Sequence, residues 1–234
     1  MNILITRPLM DAEDLMEKLF AYGHKIIHLP TLKISNMETE LINSDNFDAF
    51  IFTSANAVRN LKLSNKNKSI YCFCVGSITE KIARQSGFMN TSSAGGTVNA
   101  LKNLIMISDK FNKNANLAYF SGDNISYDLD LELRKEGLKI KKIINYSSEV
   151  ISDLNDENKK LIKMYPPDLI YVYSARSAES FMSIVKKYSL NPLMTQSTVM
   201  CISEKVANIF KSHNWKKIEI FSPGDEILKL KDLN

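Results

Sequence analysis

Residues 48–61, DAFIFTSANAVRNL, return 120 positions later as residues 168–181, DLIYVYSARSAESF. Each copy is an apolar run of strand length that ends in a hydroxyl pair, Thr53-Ser54 in the first and Tyr173-Ser174 in the second. Each pair leads directly into residues at helical spacing. A strand that continues into a helix through a small polar residue places a hydroxyl and free backbone N–H groups at the helix N-terminus, where anions bind. Two such sites predict one ligand with several negative groups, held between two similar halves.

The repetition extends over most of the chain. Blocks that begin at Leu15, Asp48 and Ser93 recur at offsets of 114, 120 and 129 positions, and the block from Gly76 recurs in pattern near 127. Offsets that rise smoothly are typical of a duplicated domain with loop insertions. We therefore predict an α/β fold with two similar parallel-sheet domains. Ligands of such sheets bind at the carboxyl ends of the strands, so the active site is expected in the cleft between the domains.

Apolar runs alternate with helical patterns along the rest of the chain, which favours strand–helix–strand crossover units. Besides the two strands that open the repeated stretch, strands are predicted at 1–6, 25–32, 69–75, 117–120, 138–146, 198–202 and 216–221. Helices are expected after the strands at 1–6, 69–75 and 117–120, with Gly23, Gly87 and Gly137 at their C-terminal ends. Further helices are expected in both copies of the repeated stretch, at 98–107, around Val206 to Phe210 and at 225–233. The small-residue segment 92–97 is interpreted as a loop.

The composition excludes few classes but favours a small anionic ligand. The 234 residues are 44% hydrophobic and 24% charged, enough for one large domain or two smaller ones to bury a core. The net charge is +4, and the 30 Lys and Arg residues are spread out rather than massed. No motif that reads a nucleic-acid groove accompanies them, so no nucleic-acid partner is expected, whereas a small anionic substrate fits this charge.

The cysteines and the N-terminal residues indicate a cytoplasmic protein. Cys72 and Cys74 lie two apart in an apolar run and point to one face of a strand, as small core residues do in a reducing compartment. With no Cys or His at ligand spacing, no metal site is expected. The start of the chain lacks a signal-peptide pattern and no 18-residue apolar run occurs, so no membrane association is expected.

Hydroxyls and amides, rather than catalytic motifs, mark the predicted strand ends. The glycine-rich nucleotide motifs, the serine-hydrolase elbow and the zinc motifs are absent from the sequence. The polar residues at the strand ends are Thr6, Thr53, Ser54, Ser77, Thr79, Ser121, Asn124 and Ser174. Each alone is explained by an ordinary helix cap, but their shared position at five strand ends favours an anion-binding edge.

The sequence resembles the uroporphyrinogen-III synthase family over nearly its whole length. The segments that carry this resemblance are ILITRP followed by Gly23 and Pro30, IFTSANAV, CVGSITEKIARQSGF, SAGGTVNALKNLI, the strand that ends in Ile144-Asn145-Tyr146, and VYSARSAESF. The resemblance implies two α/β domains between which the chain crosses twice. One domain would comprise residues 1–34 with 148–234, and the other residues 35–147, joined by two extended linker segments.

For chemistry, the resemblance implies a lyase of tetrapyrrole (haem) biosynthesis that needs no cofactor. Hydroxymethylbilane, a linear tetrapyrrole with eight carboxylates, would lose its terminal hydroxyl to give an azafulvene. Ring D would attack through its substituted carbon, pass through a spiro intermediate and rejoin inverted, which closes uroporphyrinogen III. The resemblance also implies a monomer, with transient contact with the preceding pathway enzyme.

The resemblance assigns roles to individual residues. Tyr146 matches the tyrosine best suited to protonate the leaving hydroxyl, since a phenol of ordinary pKa, about 10, is protonated at neutral pH; Thr79 is assigned to catalysis with it. The residues assigned to substrate binding are Arg7, Thr53, Ser54, Ser77, Ser121, Gly122, Asn124, Ser174 and Arg176, with Arg59 as a further cationic partner. The chain departs from the family pattern at Ser126-Tyr127, where many members carry Arg or Lys, and at Ser203-Glu204, where Gly is usual.

Two other readings remain open at the level of the sequence. A non-catalytic two-domain protein that clamps a polyanionic small ligand would share every feature except turnover. A response-regulator-like module would need an acidic pocket at the strand ends, whereas the first strand ends in Thr6-Arg7.

Overall fold

A computed structural model describes residues 1–65, 67–112 and 114–231. For residue 231 it describes the backbone only. Its strands are β1 Asn2–Ile5, β2 Lys25–His28, β3 Leu32–Asn36, β4 Ala49–Phe52, β5 Tyr71–Cys74, β6 Asn90–Ser93, β7 Asn116–Gly122, β8 Lys139–Val150, β9 Leu169–Val172, β10 Thr198–Cys201 and β11 Lys217–Ile220. Its α-helices are α1 Leu9–Ala21, α2 Ala55–Arg59, α3 Ser77–Gln85, α4 Val98–Met106, α5 Leu129–Lys135, α6 Asp156–Met164, α7 Ala175–Lys187, α8 Asn191–Met194, α9 Glu204–Phe210 and α10 Glu226–Lys231. A single 3₁₀ turn at Ser44–Asn46 precedes β4.

The contacts divide the chain into two units. Unit 1 comprises Met1–Lys33 and Glu149–Asn234, and unit 2 comprises Ile34–Ser148. The chain passes from unit 1 to unit 2 within β3 and returns within β8. Unit 1 is therefore discontinuous in sequence, whereas unit 2 is one continuous stretch.

Each unit contains one sheet, and the pairings resolved in both sheets are parallel. The strand order is β11-β10-β9-β1-β2 in unit 1 and β3-β8-β7-β4-β5-β6 in unit 2. The central ladders pair β1 with β2 and β9, and β4 with β5 and β7. Parallel neighbours require crossover connections, and here these connections contain helices.

The strand orders confirm the duplication seen in the sequence. The series β8, β7, β4, β5, β6 of unit 2 corresponds one to one with β2, β1, β9, β10, β11 of unit 1. The sequence offsets of 114 and 120 positions connect the same pairs of strands, β2 with β8 and β4 with β9. The two units are copies of one doubly wound plan, with β3 as an additional edge strand in unit 2.

Alternating side chains of each sheet pack against helices on both faces. In unit 1, one face packs against α6, α7 and α9 through a core that includes Phe181 and Phe210, and the other against α1 and α10. In unit 2, α2 and α3 cover one face around Phe50 and Phe120, and α4 and α5 cover the other around Leu101. Each unit is a three-layer α/β/α structure with its own core.

Several predicted boundaries are wrong for identifiable reasons. The loop expected at 92–97 overlaps β6, a polar strand at the sheet edge that needs no apolar run because one side faces solvent. The strand expected at 25–32 ends at His28, shortly before Pro30, and β3 begins at Leu32. Helices α6 and α8 were not predicted, and the end expected for the last helix, at Leu233, lies outside the described residues.

Within the ranges that the structure describes, none of the helices is long and apolar enough to span a membrane.

Candidate active site

The carboxyl ends of parallel strands share one edge of a sheet, so the residues that follow β4 and β7 lie together in unit 2. A small open pocket of about 150 Å³ lies at this edge. Three of the predicted site residues, Thr53, Asn124 and Tyr146, line it. The remaining lining side chains are Val98, Tyr119, Ile125, Ser126 and Tyr127. The fold therefore brings together residues that are up to 93 positions apart in sequence.

Tyr146 lies within β8, opposite Gly122 at the end of β7. Its ring is partly exposed and packs against the unit 2 core that contains Phe120. The backbone N–H of Asp123 donates to its carbonyl at 3.0 Å. Tyr146 is thus held by a backbone hydrogen bond and by packing of its ring against the core, and it also lines the pocket.

Tyr119 is a buried phenol in the pocket that sequence reasoning missed. Its side chain is 1% exposed, and its hydroxyl lies 3.2 Å from the Thr53 hydroxyl. Burial raises the pKa of Tyr119, and this effect outweighs the opposing effect of the hydrogen bond with Thr53. The phenol therefore remains protonated at neutral pH. Tyr119 falls inside the apolar run LAYF, where a core role was the natural interpretation, so no signal in the sequence marked it as a site residue.

The two serines of the repeated stretch are helix caps. The Ser54 hydroxyl accepts the N–H of Asn56 at 3.1 Å at the start of α2. The Ser174 hydroxyl accepts the N–H of Ser177 at 3.0 Å at the start of α7 and donates to the Ser177 hydroxyl. Local geometry therefore supports the plainer of the two sequence interpretations, and carboxylate binding by these hydroxyls remains a prediction.

The other predicted residues of unit 2 differ widely in exposure. Ser77 is exposed as the first residue of α3, whereas Thr79, two positions later, is 5% exposed. Ser121 is fully buried at the end of β7, and its hydroxyl has no hydrogen-bond partner in the described part of the chain. Arg59 donates to the side-chain oxygen of Asn56 at 3.0 Å. Among the residues with resolved placement, Thr79 is not part of the pocket lining.

In unit 1, a cationic side chain lies at the carboxyl ends of the strands, the edge that corresponds to the pocket edge of unit 2. The guanidinium carbon of Arg7, just after β1, lies 4.3 Å from the ring centroid of Tyr173, just after β9. Burial raises the pKa of Tyr173 well above its ordinary value, and the charge of Glu226 adds to this effect. Arg176 lies in the first turn of α7, partly buried. Arg7 is therefore held on a neutral aromatic surface, the setting of a cation–π contact.

No group of three or more His, Cys, Asp or Glu side chains is arranged to hold a metal ion in the parts of the chain with described positions.

Two copies of a doubly wound α/β unit, one of them with a phenol-lined pocket at its strand ends, define a duplicated α/β protein of the doubly wound class. Residues 13–222 match the family model described as Uroporphyrinogen-III synthase HemD. The chain belongs to the uroporphyrinogen-III synthase family, whose members are cyclising hydro-lyases of tetrapyrrole biosynthesis.

Solved structures of the same family share the fold. The chain is similar to uroporphyrinogen-III synthetase from Helicobacter pylori 26695, with 16% identity and a TM-score of 0.66 over 100% of this chain and 99% of that one. It is also similar to a mutant uroporphyrinogen III synthase from the extremely thermophilic bacterium Thermus thermophilus, with 13% identity and a TM-score of 0.55 over 99% and 96% of the two chains. No individually curated protein sequence gives a significant match.

Proposed function

We propose that this chain converts hydroxymethylbilane to uroporphyrinogen III, with inversion of ring D and loss of water. The observation that carries the proposal is the family match, which spans residues 13–222 and so includes both the unit 2 pocket and the first turn of α7. The reaction is a dehydration followed by ring closure. It calls for a proton donor, anion-binding groups and a pocket that limits the access of water to a reactive cation.

In this proposal Tyr146 protonates the departing hydroxyl, which leaves as water and generates the azafulvene in its protonated, cationic form. The support is positional, because Tyr146 is partly exposed and lines the pocket at the strand edge of unit 2. Closure of the macrocycle releases a proton, which restores the phenol of Tyr146, so the enzyme returns to its starting protonation state. Tyr119 and Thr53 present a further pair of hydroxyls 3.2 Å apart in the same pocket.

The eight carboxylates of the bilane call for many donors. We assign Arg7 and Arg176 as cationic partners of the carboxylates. Arg7 lies just after β1, and Arg176 lies in the first turn of α7, both in unit 1. The neutral donors in this proposal are Thr53, Ser54, Ser77, Ser121, Gly122, Asn124 and Ser174, and Thr79 is kept as a catalytic residue. The N-terminal turns of α2, α3 and α7 add backbone N–H groups.

We further propose that the protein acts in the cytoplasm as a monomer, with transient contact with the preceding pathway enzyme. Three free and buried cysteines, Cys72, Cys74 and Cys201, support a reducing compartment. The proposal of a monomer rests on the family resemblance.

The decisive experiment is isomer analysis of hydroxymethylbilane incubated with the purified protein and no added cofactor. The bilane closes spontaneously to the type I macrocycle, so heat-denatured protein provides the control. An excess of the type III isomer is expected from folded protein. Type I alone, from protein shown to be folded, would support the non-catalytic binding protein instead.

A further inference from the structure

The ladder between β7 and β8 contains an irregularity next to the pocket. Ser121 pairs with Ile144, but the next residue, Gly122, pairs with Tyr146 rather than with Asn145. Asn145 is therefore the extra residue of a β-bulge. Bulges bend a strand and redirect the side chains that follow, and they are frequent beside active sites. Here the redirected side chain is Tyr146.

The bulge residue is fastened to the neighbouring helix. Asn145 is 1% exposed, and its side-chain N–H donates to the carbonyl of Ala57 in α2 at 2.7 Å. Its own backbone carbonyl accepts the N–H of Met37 at 3.2 Å, just after β3. Asn145 thus connects β8 to elements on two sides, which fixes the backbone immediately before Tyr146.

The Asn145 amide is only half satisfied. Its side-chain oxygen is buried and has no hydrogen-bond partner among the residues whose positions are described. A buried polar atom without a partner costs free energy, and such local violations are expected where function rather than stability selects the residue. The side-chain N–H of Asn145 is therefore the part of the amide that makes a specific contact, and its oxygen makes none among the described residues.

Gly122 provides the space for the tyrosine ring. A Cβ built on Gly122 would lie 2.7 Å from two ring carbons of Tyr146 and 3.0 Å from its hydroxyl oxygen. Contacts this short between carbon atoms are repulsive, so any side chain at 122 would displace the ring or the strand. The ring therefore lies directly on the backbone of β7.

We propose that Asn145 and Gly122 are positioning residues that together set the place of the Tyr146 phenol in the pocket, Asn145 by anchoring the bulge to α2 and Gly122 by leaving room for the ring. The effect on catalysis rests on the proposed function of Tyr146, whereas the packing of its ring against Gly122 does not.

The first test is a double-mutant cycle on thermal stability that uses Gly122→Ala, Tyr146→Ala and the double variant. Gly122→Ala is expected to lower the Tm by about 5 °C in the native background, because the new methyl group meets the ring. In the Tyr146→Ala background the same change is expected to lower the Tm by less than about 2 °C. If Gly122→Ala does not fold, the double variant is expected to fold. Equal losses in both backgrounds, or a double variant that also fails to fold, would overturn the role of Gly122.

The second test compares two asparagines that donate to the same helix. Asn145→Ala is expected to lower kcat about tenfold and to change KM by less than twofold, since the phenol is misplaced but the binding groups are intact. The matched control is Asn60→Ala, because the Asn60 side chain donates to the Asn56 carbonyl of α2 at 2.8 Å and lies outside the bulge. The control is expected to lose a similar amount of stability while kcat stays within about twofold.

A merely structural role for Asn145 predicts a different pattern. The kcat losses of Asn145→Ala and Tyr146→Phe would then multiply, whereas a positioning role predicts that Asn145→Ala adds less than about twofold once the phenol is gone. Multiplicative losses, or equal kcat losses in the two asparagine variants, would overturn the proposal. If the native protein makes no type III isomer, the proposed function fails, while the stability cycle still decides whether Gly122 accommodates the ring.

Discussion

Three phenols line the unit 2 pocket, and two of them, Tyr146 and Tyr119, stand in different surroundings. Tyr119 is buried, and its hydroxyl is within hydrogen-bond distance of the Thr53 hydroxyl, whereas Tyr146 is partly exposed on the backbone of Gly122. A proton donor to substrate has to reach the leaving group, which favours the more exposed ring. The buried ring is better suited to support the pocket wall.

Replacement of each phenol separates these roles. Tyr146→Phe is expected to lower kcat by about 10² or more, the range for loss of a general acid. Tyr119→Phe removes one hydrogen bond, so we expect about 1 kcal/mol less stability and a fall in kcat of less than tenfold. Steady-state kinetics and urea unfolding of the two variants provide the comparison. A loss below about threefold in Tyr146→Phe would remove the acid assignment, and holding the bilane in a near-closed shape would remain as the main catalytic device.

The sequence predicted some residues that line the pocket, but it did not predict the contacts between them. Thr53 and Asn124 follow strands, and Tyr146 pairs with the last residue of β7. Strand ends are where such folds carry their sites. Tyr119 and Asn145 could not be found this way, because one lies inside an apolar run and the other acts only through a bulge. A bulge depends on the register of two strands that are distant in sequence, which local patterns do not reveal.

At the scale of the element, helix starts combine capping with the proposed binding of anions. The Ser174 hydroxyl holds the first turn of α7, so its removal affects stability whether or not it contacts substrate. Most predicted strands were recovered because buried parallel strands are continuous apolar runs. The polar edge strand β6 and the short helix α8 were missed, since neither carries a strong periodic signal.

Two substitutions at Ser174 separate the cap from the carboxylate contact. Ser174→Ala is expected to cost about 1 kcal/mol of unfolding free energy, measured by urea titration. Ser174→Asp preserves a capping oxygen and is expected to keep stability within about 0.5 kcal/mol. The added negative charge should nevertheless raise KM for the bilane several-fold if a carboxylate binds there. An unchanged KM in the Asp variant would exclude carboxylate contact at this position.

The buried thiols predict how stability depends on pH. Burial raises the pKa of Cys74 and of Cys201 to about 12 each, and it also raises the pKa of Cys72. Above pH 9 the unfolded chain releases these protons while the folded chain keeps them, so stability falls as the pH rises. Each thiol is expected to contribute about 1 kcal/mol of loss at pH 10.

Urea unfolding at pH 8 and pH 10 measures this loss, with reductant present throughout. Cys201→Ala serves as the comparison, and its loss between the two pH values is expected to be smaller by the contribution of one thiol. The same loss in both proteins would show that Cys201 titrates equally in the folded and unfolded chains.

At the scale of the molecule, each unit closes its own core around its own sheet. Unit 2 is continuous in sequence, and the described strands β3 to β8 all pair within it. Its two aromatic and aliphatic cores are formed by residues 42–143 without help from the other unit. The duplication in the sequence predicted two similar sheets, but only the family resemblance predicted that one domain would be interrupted by the other.

A fragment of residues 32–150, which keeps β3 and β8 whole, is therefore expected to fold alone. We expect cooperative thermal unfolding and native-like near-UV circular dichroism from its buried aromatic residues. The preceding segment, residues 1–31, is expected to be unfolded by itself, because β1 and β2 lack β9. A fragment 32–150 without a cooperative transition would show that unit 2 needs unit 1 to fold.

The interruption of unit 1 has a consequence for synthesis on the ribosome. The Asn2 backbone binds the Asp168 carboxylate at the entry to the β1–β9 pair, and these residues are 166 positions apart. At about 5 to 20 residues per second, β1 and β2 wait roughly ten to thirty seconds for the strand that completes their sheet. Unit 2 is translated in full during that interval. The nascent chain is therefore expected to complete its second unit first, while its opening strand–helix–strand segment depends on chaperones or on local structure to avoid non-native pairing.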